Sequence, residues 1–306
     1  MGVIGIDTSN YTTSIAFFDG TGGENCSKLL PVKSGELGLR QSDAVFAHIK
    51  SLPELSGRLF SHAREEIRAV GVSTRPRAVE GSYMPCFLVG LSHATLLSNA
   101  LHVPLVEVSH QQGHVAASLW SAGHLELMDE PHLAWHLSGG TTELLLVEPD
   151  GKLVKCTKIG GTTDISAGQL IDRTGQLLGL PFPSGKHLDA LSREAAGKDF
   201  FRVKCKDMTF SFSGMQNKVQ QYFEANGDPA ETAAYALRCV AYGVFHATQQ
   251  ALKAYPGLPV VFSGGVASNT LLRQVLEPLN PIFAQPQYST DNAMGVAVLA
   301  SRCTEV

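Results

Sequence analysis

The sequence predicts a two-lobed α/β protein with a cleft between the lobes. Two observations carry this. Strand-like apolar runs alternate with helix-like stretches along the 306 residues, the pattern of an α/β fold. One strand–turn–strand unit also occurs twice, from Thr12 to Thr141 an offset of 129 residues, which reads as an internal duplication near half the chain length.

The elements follow in order. Val3 to Ile6 is a short apolar run ending in Asp7, Thr8 and Ser9, and Tyr11 to Phe18 is rich in β-branched and aromatic residues before Asp19 and Gly20. That reads as strand, turn, strand. Trp135 to Val147 repeats the scheme around Ser138-Gly139-Gly140-Thr141-Thr142. Helices are expected over 42–49, over 88–101 as a buried helix, and from Ser109 after a strand at 104–108. They are expected again over 165–178 with Gly179 closing it, from Met215 after the turn-rich 210–214, over 231–255, through Leu271, Leu272 and Val275, and over 292–302. Pro259 to Phe262 reads as a buried strand ending in Ser263-Gly264-Gly265.

Composition bounds the function. The length suits two domains of roughly 100–200 residues each. Hydrophobic residues make up 44% and charged ones 17%, below the usual quarter, so the chain buries much of itself or offers apolar surface to a partner. No apolar run reaches the roughly 18 residues of a membrane span, and the start lacks a signal peptide's basic region and cleavage site. The six cysteines form no C-x-x-C pair and are read as reduced thiols of a cytoplasmic protein. A net charge of -4 gives no general argument for nucleic acid. Local basic patches could still bind it: Arg64, Arg68, Arg75 and Arg77, then Arg202, Lys204 and Lys206, although solvated faces are the plainer reading of each.

Three constellations carry chemistry. Ser138 to Thr142 and Ser263 to Asn269 are glycine turns whose backbone could approach a phosphate. Neither is a P-loop or a dinucleotide fingerprint, and a tight turn alone would also explain them. His110 and His114 stand at i and i+4, one face of a helix, and could chelate one metal. Asp291 is a candidate third ligand, or else a helix N-cap, and His136 is a further candidate ligand or a half-buried strand histidine. Asp172 could accept from ribose hydroxyls, or simply sit beside Arg173 on a wet face. There is no Gly-x-Ser-x-Gly elbow for a serine hydrolase and no His-Glu-x-x-His, which argues against protease activity from the His pair.

These residues resemble the TsaD family, members of the actin-like ATPase (ASKHA, ribonuclease H-like) superfamily that make the threonylcarbamoyl modification of tRNA. The matching stretches are Gly5 to Ser9, His110 to His114, Leu137 to Gly140, Asp172 with Leu177 to Pro181, Phe210 to Gly214, Gly264 to Asn269 and Thr290 to Ala293. The resemblance implies two actin-like lobes: residues 1–125, completed by the helix 292–306, and residues 126–291. His110, His114 and Asp291 would be the metal ligands, with His136 a fourth, holding iron or zinc, with manganese a further candidate. Leu137, Ser138, Gly139, Gly140, Thr141, Asp172, Gly185, Gly264, Gly265 and Asn269 would hold ATP, ADP or threonylcarbamoyl-AMP. Asp7, Thr8 and Ser9 would be catalytic. The expected partners are tRNA and a TsaB-like subunit or a second copy, with no membrane.

The chain also departs from the family pattern. The first loop usually reads Glu-Thr-Ser-Cys-Asp-Glu-Thr; here it runs Asp7-Thr8-Ser9-Asn10-Tyr11-Thr12-Thr13, so Tyr11 and Thr12 replace an acidic pair. A Gly-Pro-Gly-Leu loop is replaced around Ser73 to Cys86, and Thr141 stands where His or Asn is usual. The chain therefore looks like a divergent paralogue. The expected activity is threonylcarbamoyl transfer to N6 of adenosine. The alternatives are a non-catalytic nucleotide- and metal-binding subunit, or carbamoylation of a small acceptor.

Overall fold

The computed structural model describes residues 1–9, 11–30, 39–61, 66–289 and 291–304; Asn10, Arg64 and Thr290 of the motifs above lie outside them. Two compact units emerge, Met1–Glu130 with Glu148–Cys156 and Asp291–Val306, and Pro131–Val147 with Thr157–Thr290. The first unit thus takes residues 126–130, the stretch 148–156 and Asp291, which the sequence assigns to the second lobe. Among the described residues no helix is long and apolar enough to cross a membrane.

The first unit is built on β1 (Gly2–Asp7), β2 (Thr12–Phe18), β3 (Gly23–Leu29), β4 (Ile67–Arg75) and β5 (Leu105–Ser109), in the order β3-β2-β1-β4-β5. β1 is wholly buried, as a central strand must be, and pairs antiparallel with β2 and parallel with β4. Alternation along β1 sorts its side chains between two faces. Ile4 and Ile6 join Val70 and Val72 in a core with Leu52, Leu55 and Leu59 of α1 (Gln41–Phe60) and Val89 of α2 (Phe87–Leu101). The opposite face carries Gly5 and Gly71, paired in register. A Cβ on Gly5 would stand 2.7 Å from Ala297 N, and one on Gly71 2.8 Å from Val296 O. Those residues lie on the C-terminal helix Met294–Thr304, which therefore rests directly on the strands. α3 (His110–Ala122) packs on the same helix through Gly113 and Gly295.

The second sheet repeats the plan and belongs to the second unit except for its residues within 148–156. β6 (His132–Leu137), β7 (Thr142–Asp150), β8 (Leu153–Thr162), β9 (Thr209–Phe210), β10 (Val260–Ser263) and β11 (Ile282–Phe283) lie in the order β11-β10-β6-β7-β8-β9. Reversed and without β9, this is the order of the first sheet, so β6 and β7 stand where β1 and β2 stand. The hairpins differ in their turns: Asp7 pairs with Ser14, whereas Leu137 pairs with Thr142 across a shorter connection. The helices are α4 (Ala167–Leu177), α5 (Gly185–Ser192), α6 (Ser213–Asn226), α7 (Pro229–Ala254) and α8 (Thr270–Leu276); the C-terminal helix is α9. The core gathers Leu133, Trp135 and Leu137 of β6 against α4 and α7, and Trp135 Nε1 donates to Thr248 Oγ1 at 2.9 Å.

Most expected elements are present, with shifted ends. α1 runs to Phe60 through Pro53, well past the expected 49. α2 is not a buried helix: Leu88, Leu96 and Leu101 are exposed, because only one side of it meets the sheet. Gly179 follows the end of α4 at φ +70, as a closing glycine should. All six cysteines are free thiols.

Candidate functional site

Three donors converge at one end of the first sheet. Ser109 ends β5 and caps α3: its hydroxyl accepts the Gln112 N–H at 3.2 Å and the Gln112 side chain accepts the Ser109 N–H at 2.9 Å. This capping box fixes the first turn of the helix. Gln112 also donates to Val154 O at 2.7 Å, which ties that turn to the 148–156 stretch. His110 and His114 then lie one turn apart on one face, with Nε2 atoms 2.9 Å apart. Asp291 Oδ1 is 3.2 Å from His114 Nε2 and 3.6 Å from His110 Nε2.

Asp7 completes the arrangement from behind. It shares the β1 face of Gly5, the side on which α9 packs. Its Oδ2 lies 2.7 Å from His110 Nδ1, and its Oδ1 accepts the Ser9 N–H at 2.7 Å. A carboxylate on Nδ1 fixes the ring and leaves Nε2 directed at the other donors, as carboxylates behind metal-binding histidines commonly do. Burial disfavours the charged His110 ring, but Asp7 and Asp291 outweigh it and push its pKa up to about 10. Burial likewise opposes ionisation of Asp7 and Asp291, yet His110 holds Asp7 below the usual carboxylate range and the two histidines hold Asp291 well below it.

The donor set fits a divalent ion. Two imidazole nitrogens and a carboxylate oxygen lie within 4.8 Å of one another, and among the described residues this is the group able to hold a metal. Asp291 is not spent on capping α9, because Asn292 Oδ1 accepts the Met294 N–H at 3.1 Å. Of its loop neighbours, Thr8 is occupied: its hydroxyl donates to Cys86 O at 2.9 Å and accepts the Gly90 N–H at 3.0 Å. Ser9 Oγ is buried and has no hydrogen-bond partner among the described residues.

The second unit gathers the glycine residues. The Ser138 N–H donates to Thr141 O at 2.8 Å, and the Thr141 N–H donates to Ser138 Oγ at 3.0 Å. Gly139 and Gly140 are exposed, with open space where side chains would stand. Ser166, which caps α4, donates to Gly139 O at 2.6 Å, and Gly168 lies so close that a Cβ would stand 2.5 Å from Gly139 Cα. Gly264, at φ +91, packs on the Leu137 backbone, and Gly265 opens the turn that follows. The β6–β7 turn, the end of β10 and the start of α4 thus meet. His136 Nδ1 lies 3.4 Å from Ser263 Oγ.

The remaining expected residues sit further along this unit. Asp172 pairs with the loop and not with Arg173: its Oδ1 accepts the Ser184 N–H at 2.8 Å, while Arg173 donates to Gln216 at 2.7 Å. Gly185 starts α5. Asn269 caps α8, accepting the Leu272 N–H at 2.9 Å, and its amide donates to Asp189 Oδ1 at 2.7 Å. Two acids escaped the sequence reading. Asp189 also accepts from the Thr270 N–H and hydroxyl. Asp164 takes the Ser211 hydroxyl and the Phe212 and Ser213 N–H groups; burial opposes its ionisation, but the serine hydrogen bonds prevail and lower its pKa. An acid facing serines across 47 residues leaves no local signal.

Residues 38–298 match the family model described as TsaD: tRNA N6-adenosine threonylcarbamoyltransferase. The chain belongs to the TsaD family. A TsaD relative, the tRNA N6-adenosine threonylcarbamoyltransferase of Carboxydothermus hydrogenoformans, is 31% identical over 96% of this chain and 90% of its own length. Among solved structures, full-length HypF in its phosphate- and nucleotide-bound form superposes at a TM-score of 0.59 with 15% identity, covering 100% of this chain and 56% of that one. A ROK family glucokinase from Streptomyces griseus, in complex with glucose and AMPPNP, superposes at 0.55 with 11% identity, covering 99% of this chain and 100% of that one. These likenesses establish the actin-like ATPase fold for this TsaD family member.

Proposed function

We propose that this chain is a metal- and nucleotide-dependent acyltransferase that moves a threonylcarbamoyl group from threonylcarbamoyl-AMP to N6 of an adenosine in tRNA. The observation that carries the reading is the convergence of His110 Nε2, His114 Nε2 and Asp291 Oδ1, with Asp7 behind His110, in a TsaD family chain. Donors of this kind suit iron, zinc or manganese, and such an ion would supply Lewis acidity toward the acyl group. His136 is the candidate for a fourth ligand.

The chain's own groups divide the work. Asp7 is a positioning residue that fixes the His110 ring through Nδ1. Thr8 is a second one, since both hydrogen-bonding roles of its hydroxyl are committed to α2 and the residue before it. Ser9 is the member of the trio with a hydroxyl left for a bound group. On the second unit, the exposed backbone of Gly139 and Gly140 offers the close approach a phosphate needs. Leu137, Ser138, Thr141, Gly264 and Gly265 shape that turn. Asp172 keeps Oδ2 for a ribose hydroxyl, Gly185 leaves room beside it, and Asn269 holds the neighbouring helix start. The exposed apolar residues Phe46 and Ile49 of α1 and Leu88 and Leu96 of α2 suit a TsaB-like partner or a second copy, in the cytoplasm.

The test is nucleoside mass spectrometry of tRNA after reconstitution, with metal content measured in parallel. The expected result is threonylcarbamoyladenosine with the wild-type chain and none with His110→Ala. Tyr11 and Thr12, standing where the family loop usually carries acids, favour a second reading: a non-catalytic partner subunit, or transfer to a small acceptor. Full activity of a complex carrying His110→Ala supports the subunit reading, and unchanged tRNA in every reaction removes tRNA as the acceptor.

A further inference from the structure

The second unit carries a basic groove that the metal and nucleotide residues do not use. From Arg202 to Lys206 the chain alternates: Arg202, Lys204 and Lys206 are exposed, Val203 is buried and Cys205 half-buried. The segment is tied to α7. Gln250 Nε2 donates to Cys205 O at 3.0 Å, Gln250 Oε1 accepts the Met208 N–H at 2.8 Å, and the Phe201 N–H donates to Cys239 Sγ at 3.2 Å. With its apolar side chains held inward, the segment turns three cations outward. Lys253 of α7 joins them in lining a groove of about 630 Å³, with His246 and Gln249.

Among the described residues no carboxylate lines this groove. The ion pairs of Lys28, Lys158, Arg193 and Arg302 lie elsewhere. Four like charges gathered in a chain of net charge -4 repel one another unless an anion meets them. Aromatic rings flank the same segment. Phe200, 37% exposed, stacks on Tyr242 with centroids 4.1 Å apart, and Phe201 is 39% exposed. Cations beside exposed rings are the combination that meets phosphates and unpaired bases together; an acidic peptide would use the cations alone.

We propose that Arg202, Lys204, Lys206 and Lys253 form a docking surface for the phosphate backbone of an RNA, with Phe200 and Phe201 as its stacking edge. The inference rests on the transfer reading for its choice of RNA, an unmodified tRNA transcript. The experiment measures binding of that transcript by fluorescence anisotropy from 50 to 300 mM salt. It compares the wild type, a variant with alanine at all four positions, a variant with Lys204→Arg, Lys206→Arg and Lys253→Arg, and a control with Lys50→Ala and Lys152→Ala. Each phosphate contact contributes about 0.7–0.9 to the slope of log affinity on log salt, so the alanine variant should lose about 3 from that slope and bind at least about tenfold more weakly at 50 mM. The arginine variant and the control should bind as the wild type does. Equal affinity and slope in the alanine variant overturn the proposal and leave the transfer reading intact. Wild-type RNA affinity in that variant, with lost binding of polyglutamate, assigns the groove to an acidic protein and overturns it as well. A wild-type chain that binds no RNA overturns it and counts against tRNA as acceptor.

Discussion

Alanine at Gly295 tests how the metal-binding residues are held. Gly295 lies where α9 crosses α3, and a Cβ there would stand 2.8 Å from both Ala117 N and Gly113 C, with Gly113 O closer still. Carbon atoms in contact prefer about 3.5–4.0 Å, so the helices must separate by roughly 1 Å or more. Every atom met is backbone, so no side chain can rotate away. Overpacking of this kind costs about 1–3 kcal/mol, here at the upper end, because Met294 to Ser301 are all buried and move with the helix. Against this stands about 1 kcal/mol of improved helix propensity. The net expectation is a loss of about 2 kcal/mol. Trp120 on α3 reports the first unit and Trp135 on β6 the second, so urea unfolding followed in a Trp135→Phe background reads the affected unit alone. Metal affinity should fall too, since α3 bears His110 and His114 while Asp291 precedes α9. A Gly295→Ala protein as stable as the parent, or stabilised by the propensity gain, would refute the close-crossing argument.

Three further outcomes are expected. His48 is fully buried with Nδ1 2.8 Å from Thr13 Oγ1; burial brings its pKa down to about 4 although Asp7 works the other way. Unfolded, it titrates near 6.5, so its contribution is whole above that pH and is lost as pH falls from 6.5 to 4, about 3 kcal/mol. His48→Gln should flatten the pH dependence of urea unfolding across that window, and an unaltered slope would exclude His48 as its source. Asp7→Asn removes the charge behind His110 and should weaken metal binding by about 10–100-fold in a chelator competition; parental affinity would mean that Asp7 does not orient the ring. Gly264→Ala combines φ +91 with a Cβ 2.9 Å from Leu137 N. It should destabilise the second unit by at least about 2 kcal/mol, read from Trp135 fluorescence in a Trp120→Phe background, and a neutral effect would show that the turn can move.

Periodicity and repetition made the architecture legible. The duplicated hairpin at Thr12 and Thr141 identifies equivalent central strands, and the two sheets bear it out with one shared order. Strands with little alternation were harder to read. β3 is mostly exposed and looks polar, while β11 has two residues. The His110–His114 spacing shows that two rings share a face, since both lie on one helix. It says nothing of Asp7 or of the choice between capping and ligation at Asp291, because those depend on pairings 103 residues or more apart. Asp172 illustrates the converse error: its neighbour Arg173 suggests a local pair, but the helix directs the two toward different partners.

The division of labour at the start of α9 shows how a half-buried carboxylate is kept available. An Asp at a helix start commonly turns back to accept its first N–H groups. Here the neighbouring Asn292 takes that role toward Met294, and Asn25 of β3 accepts the Ala293 N–H at 3.0 Å. Those two donors are satisfied, and the Asp291 side chain turns to the histidines. Because Gly5, Gly71 and Gly295 bring α9 against the strands and α3, small shifts of the helix carry Asp291 with them. Asn292→Ala should therefore act in two ways, by about 1 kcal/mol of lost capping and by drawing Asp291 toward the freed N–H. Metal affinity in that variant should drop while His110 and His114 are untouched. If only stability falls and metal binding stays parental, the carboxylate is held by the histidines alone and the cap plays no part in presenting it.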